Sequence, residues 1–217
     1  MISRRAILAA LTALFATAAG GAFAQAASAL TPEDEALVQR AQTYLDGLTT
    51  ATGRFVQTAP DGRESTGTVW LQRPGRARFD YDPPSGVQIA ADGHVVTEVD
   101  TRLRTIHSYP LGTTPLSLFL ARRVALDEGA RVEAVRRTSD GFEVDVRDGR
   151  RRRGGIALQF HNAPLALAGW IVTDARGAKV QVRLTHLERS APKPGAFFFL
   201  RAPPPEGLLP EDRASPQ

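Results

Sequence analysis

From Arg54 onward, apolar and polar residues alternate with a period of two, and the pattern recurs in segment after segment of the chain. Ala77, Phe79 and Tyr81 alternate with Arg76, Arg78 and Asp80, and Phe142, Val144 and Val146 alternate with Glu143, Asp145 and Arg147. Successive side chains of a strand point to opposite faces, so these segments are predicted strands with one dry face and one wet face. Similar stretches lie near 66–72, 87–91, 94–99, 103–109, 131–137, 155–161, 168–174, 178–187 and 196–201. They are separated by pairs that favour tight turns, Asp61-Gly62, Asp92-Gly93, Asp140-Gly141 and Arg176-Gly177. Short connections make sequential strands antiparallel neighbours.

Two helices interrupt this pattern. Thr31-Pro32-Glu33 supplies an N-cap, a proline at the first helical position and an acid near the positive end of the helix dipole. Leu37, Ala41, Tyr44, Leu45 and Leu48 then recur on one helical face, with Gly53 beyond the end, so this long amphipathic helix must lie on something. Thr113-Thr114-Pro115 opens a second, short helix carrying Leu116, Leu118, Phe119 and Leu120, which is very apolar for its length. The expected fold is mainly β: about eleven antiparallel strands in a large curved sheet or barrel, its inner face covered by the two helices.

Residues 1–24 read as a secretory signal peptide, with Arg4 and Arg5 ahead of an apolar run from Ala6 to Ala19 and a small-residue site around Phe23. Cleavage there leaves residues 25–217 as one expected domain and lowers the formal charge from +4 to +2, so the high isoelectric point does not point to nucleic acid. Ser3-Arg4-Arg5 fits general or twin-arginine export, and either leads out of the cytoplasm. The chain has no cysteine, which removes disulfides, thiolate metal sites, thiol nucleophiles and lipid attachment at cysteine.

Catalytic signatures are scarce. His94, His107, His161 and His186 fall on separate segments without metal-ligand spacing, and no G-x-S-x-G elbow, Walker loop or dinucleotide fingerprint occurs. Asp80 and Asp82 form an acid pair in the sequence, but Asp80 sits on the arginine face of its strand and reads as a solvated partner rather than a general acid. The run Arg150–Arg153 reads as a charged hairpin loop, or as a patch steering the chain toward an acidic partner or anionic head groups, because no aromatic residues interleave to stack bases. Neither an enzyme, nor a metal or other cofactor, nor a nucleic-acid partner is expected. The apolar residues of the strands and the short helix fit two readings, a filled core and a lined cavity.

Residues 53–83, GRFVQTAPDGRESTGTVWLQRPGRARFDYDPP, resemble the outer-membrane lipoprotein carrier protein (LolA) family in three features: a phenylalanine strand FVQT, a T-G-x-hydrophobic-W-L stretch ending in Arg-Pro, and an aromatic strand closing on proline. ADG at 91–93, TTPLSLFLAR at 113–122, SDGFEV at 139–144 and a terminal FFFL…PPPEG follow in the same order. The resemblance implies an unclosed barrel of about eleven strands with helices as a lid. It also implies a periplasmic, monomeric chaperone that takes the acyl chains of lipoproteins released by an inner-membrane ABC transporter and carries them to an outer-membrane acceptor lipoprotein. Arg73, followed by Pro74, stands where the family's arginine bonds the lid in the empty state. Together with the apolar pattern, the resemblance nominates Leu45, Phe55, Trp70, Phe79, Tyr81, Leu116, Leu118, Phe119, Leu120, Phe142 and Val144 as cavity lining. One departure is His94–Asp100, where relatives carry a more aromatic strand. It keeps open a binding protein of the same fold for another lipid or for sensing envelope stress, and a secreted hydrolase is the remaining alternative.

Overall fold

The computed structural model describes residues 30–122, 130–148, 154–174 and 176–201. The expected signal peptide, the Arg150–Arg153 run and the proline-rich tail lie outside these residues.

Helix α1 spans Pro32–Gly47. Its start is fixed by a reciprocal cap in which the Asp34 N–H donates to Thr31 Oγ1 and the Thr31 N–H donates to Asp34 Oδ2, both at 3.2 Å. Glu33, Asp34 and Glu35 crowd the first turn, where the helix dipole favours negative charge, and no basic residue occupies the last turn. Six strands follow: β1 Thr50–Thr58, β2 Glu64–Gln72, β3 Arg76–Tyr81, β4 Val87–Asp92, β5 Val95–Asp100 and β6 Thr105–Pro110. A 3-10 turn, Leu111–Thr113, leads into α2, Leu116–Leu120. The remaining strands are β7 Ala130–Arg137, β8 Gly141–Asp148, β9 Gly155–Asn162, β10 Leu165–Thr173 and β11 Lys179–Arg189.

The eleven strands form one antiparallel sheet in the order β6-β5-β4-β3-β2-β1-β11-β10-β9-β8-β7. Strand β1 is central, flanked by β2 and β11, and β6 and β7, though consecutive in the chain, are the two outer edges, so the sheet curves without closing. Extra residues in β11 opposite Arg54/Phe55, in β7 between Val132 and Ala134 and in β10 between Leu167 and Gly169 shift the register and supply local coiling. Gly53 lies within β1 opposite Leu187, not merely past the helix, and a Cβ there would come within 2.1 Å of the His186 carbonyl oxygen. Only glycine lets the two strands approach this closely beside the bulge. The inner face, with Phe55, Val69, Phe79, Phe142, Leu158 and Trp170 among its residues, carries the main core, and α1 and α2 pack against it.

Two expectations are corrected. Residues 196–201 do not form a strand; Gly195–Phe198 is a 3-10 turn lying on the opposite, outer face of the sheet. No edge is free there to pair with, and the segment is held by side chains instead: the Phe197 ring meets Trp70 edge-on at 5.2 Å, Arg78 Nη1 donates to the Phe197 carbonyl at 2.9 Å, and the Lys193 N–H donates to Gln72 Oε1 at 2.8 Å. Trp70 therefore does not line the interior. It alternates with buried Val69 and Leu71, so the pleat turns it outward, where Phe197 covers it.

Candidate cargo-binding interior and its lid

The inner face of α1 consists of Val38, Ala41 and Leu45, all buried, set over Val132, Val144 and Leu158 of the sheet. The space left among them is about 10 Å³, room for roughly one water molecule. No acyl chain fits there while the helix is down, so a cargo in this place requires α1 to move.

Beneath the helices the aromatic side chains form a continuous series. Tyr81 meets Phe55 edge-on at 5.1 Å, Phe55 meets Phe79 at 5.7 Å, Phe79 meets Trp170 at 6.1 Å, and Trp170 stacks on Phe119 of α2 at 5.0 Å. Gly67 makes room for this series: a Cβ there would stand 2.6 Å from the Phe55 ring and 2.4 Å from the Asp80 carbonyl oxygen. A second group stacks Phe142 on Phe160 at 5.2 Å, with Tyr44 of α1 edge-on to Phe160 at 6.0 Å and the Arg40 guanidinium 5.9 Å above Phe142. Tyr81 closes the first series with a polar tip, its hydroxyl donating to Gln57 Oε1 at 2.6 Å. Burial, helped by the charge of Glu98, pushes the Tyr81 phenol up to about 12, so it stays neutral.

Of the residues nominated from the sequence, Leu45, Phe55, Phe79, Phe119, Leu120, Phe142 and Val144 come together in the buried cluster, and Tyr81, Leu116 and Leu118 lie against it half-buried. Trp170 and Phe160 were missed. Phe160 carried a usable signal, since Ile156, Leu158 and Phe160 alternate; Trp170 did not, because Ala166–Val172 holds no charged residue to mark a face.

Arg73 follows directly on β2 and turns under both helices. Nη1 donates to the Leu45 carbonyl near the C-terminus of α1, and Nη2 donates at 2.6 Å to the carbonyl of Ala121, just past α2. The backbone repeats the connection: the Arg73 N–H donates to Thr49 at 2.7 Å and the Gly75 N–H to Leu120 at 2.8 Å. The guanidinium also stands 5.8 Å from the centroid of the Phe119 ring. It thus supplies from outside the helix the positive charge that the last turn of α1 lacks. The fit is incomplete. Arg73 is only 8% exposed, its acceptors are neutral carbonyls, and its Nε is buried without a partner. Burial lowers its pKa, with the charge of Asp46 opposing the shift. A guanidinium in such a position is bonded to the carbonyls of both helices yet poorly compensated.

Residues 46–200, a span that runs from the end of the lid helix to the last turn, match the family model described as outer membrane lipoprotein carrier protein LolA. The chain belongs to this family. An outer-membrane lipoprotein carrier protein of Leptothrix cholodnii is 30% identical over 167 residues, covering 70% of this chain and 74% of that one. A protein of the same name from Alkalilimnicola ehrlichii is 30% identical over 186 residues, covering 76% and 78%. Among solved structures, a LolA superfamily protein of Nitrosomonas europaea is 12% identical with a TM-score of 0.44, covering 75% of this chain and 97% of that one.

The polar residues of this LolA-family chain stand mostly on the outer face. Asp80 pairs with Arg78 at 2.8 Å, and Asp82 pairs with Arg54 and accepts from Thr66. His161 lies 3.4 Å from Asp140 and His186 lies 3.4 Å from Glu188, on separate strands. Among the described residues, no group of three or more histidines and carboxylates stands close enough to hold a metal ion, and no helix is long and apolar enough to cross a membrane.

Proposed function

We propose that this protein is a periplasmic carrier that shelters the acyl chains of lipoproteins released from the inner membrane and delivers them to the outer membrane. Residues 1–24 serve as its export signal, an ABC transporter is its donor, and an outer-membrane lipoprotein is its acceptor. The observation that carries this reading is Arg73, a buried guanidinium joining α1 and α2 across an apolar interior that is full while the lid is shut.

Each buried methylene is worth about 0.8 kcal/mol, so three acyl chains with roughly forty methylenes represent about 30 kcal/mol that cannot be left in water. Non-covalent affinity saturates near about −20 kcal/mol, and a carrier holding its cargo that tightly would never release it. A lid that must be opened and an interior that must be emptied both subtract from the affinity. The hydrogen bonds of Arg73 are broken when cargo enters and re-form when it leaves, so closure helps expel the cargo toward the acceptor. The reading requires no bond-making chemistry, and no residue is assigned a catalytic role.

The test is incubation of purified residues 25–217 with spheroplasts bearing newly made lipoproteins, followed by pull-down and mass spectrometry. The expected result is acylated lipoprotein released into solution in a one-to-one complex; recovery of a phospholipid instead would overturn the assignment of cargo. Arg73→Leu is expected to keep binding lipoprotein while transferring it to outer-membrane vesicles about tenfold less well or worse, since each 1.4 kcal/mol of lost closure energy is a factor of ten. Normal transfer by this variant would remove Arg73 from the mechanism.

A further inference from the structure

Arg73 holds α1 at one end, and the other end has a fastening of a different kind. Arg137, the last residue of edge strand β7, places Nη1 2.8 Å from Asp34 Oδ1 in the first turn of the helix. The Arg137 side chain is 54% exposed and that of Asp34 is 15% exposed. Asp34 Oδ1 makes no aligned hydrogen bond, so the contact is one of charge. Asp34 Oδ2 is committed to the cap with Thr31, so the same carboxylate starts the helix and ties it to the sheet. From residue 34 to residue 45 the helix rises about 16 Å. The two fastenings therefore lie on opposite sides of the buried contacts made by Val38 and Ala41.

We infer that Asp34 and Arg137 form a second, ionic latch, which decides whether the lid helix can pivot about its Arg73 end, and that Arg137 is a positioning residue for the closed lid. A helix pinned at two points leaves the sheet only as a hinge about whichever pin survives. Release at Arg137 lifts the end of α1 beside the open edge β7, where the sheet presents no further strand. The two pins differ in what weakens them. Arg73 is buried on neutral carbonyls and is nearly indifferent to ionic strength, whereas the Asp34–Arg137 pair is open to solvent on its guanidinium side and is screened by salt there. The inference rests on the lid reading above, and it does not depend on which cargo is carried.

The experiment uses the purified chain and Nile red, a neutral dye that fluoresces in apolar surroundings, titrated between low salt and about 0.5 M NaCl. Dye uptake by the unmodified protein is expected to rise with salt. Arg137→Ala is expected to take up about two- to fivefold more dye at low salt and to lose the salt response, while Arg137→Lys behaves as the parent. Arg73→Leu is expected to raise uptake and retain the salt response. The Thr31–Asp34 cap is intact in the Arg137 variants, so their helix content by circular dichroism should match the parent. If Arg137→Ala fails to fold, Arg137→Gln takes its place. Amide exchange in the unmodified protein needs no substitution, and residues 32–38 are expected to exchange faster as salt is raised. Parent-like uptake and salt response in Arg137→Ala, or exchange of 32–38 that ignores salt, overturns the latch. Failure to release lipoprotein from spheroplasts with these salt effects intact overturns the cargo assignment and leaves the latch standing.

Discussion

Gly67 shows how little room individual residues have in this interior. Its missing side chain is where the Phe55 ring lies, and Phe55 in turn touches both Phe79 and Tyr81. Gly67→Ala forces either the ring or the β2–β3 pairing at Asp80 to shift, and overpacking of this kind costs about 1–3 kcal/mol. A corresponding drop in the urea midpoint is expected, and an unchanged midpoint would show that the ring can move freely. The inward direction of Phe79 and Phe142 was legible because charges mark the opposite face of their strands. Trp70 was not legible, since Val69, Trp70 and Leu71 are apolar on both faces and the covering ring, Phe197, comes from the far end of the chain. Arg73 was legible only through the Arg-Pro motif; nothing in its spacing shows that two helices present carbonyls to it.

Among the elements, α1 has a strong beginning and weak attachments. Its cap, proline and acidic first turn could be read directly from Thr31–Glu35, but the helix buries only Val38, Ala41 and Leu45 within its length. With Leu37 and Tyr44 half-buried beside them, these side chains are the helix's apolar hold on the sheet, whereas central strands β1, β2 and β11 are hydrogen-bonded on both sides as well. Opening of the helix without the sheet is the expected consequence. Amide exchange should therefore be at least about tenfold faster in residues 32–47 than in β1, and equal protection would mean that helix and sheet open together. The two-residue pattern also extends to the terminal segment 196–201, whose aromatic residues suit a strand. Propensity does not supply a partner, and with β1 already paired on both edges the segment packs by its side chains across the outer face.

At the scale of the molecule, charge and topology set the conditions of use. The side-chain hydrogen bond from Thr31 holds the Asp34 carboxyl below the usual carboxylate range, and hydrogen bonds from Arg54 and Thr66 do the same for Asp82. A depressed carboxyl stabilises the fold above its unfolded pKa, near 4, and loses that contribution as pH falls through the lower folded value. Thermal stability is therefore expected to be level from neutrality to about pH 5 and to fall below about pH 4; a melting temperature that rises on acidification would contradict these pairs. The count of about eleven holds with β1 standing in place of the 196–201 segment, and the antiparallel sense followed from alternation and turn pairs. The order in the sheet did not, because the contact of β1 with β11 joins segments at opposite ends of the chain, and no local pattern shows that β6 and β7 stay apart.

That separation of β6 from β7 gives the protein a property a closed barrel lacks. In a closed barrel the number of strands and their stagger fix the circumference, and a larger guest must break rungs of the ladder. Here the circumference is interrupted, so the two halves of the sheet can spread or approach by bending, with every interstrand hydrogen bond intact. On the carrier reading, the girth of the interior is an adjustable quantity, and one sheet would enclose guests of different bulk at nearly constant hydrogen-bond energy.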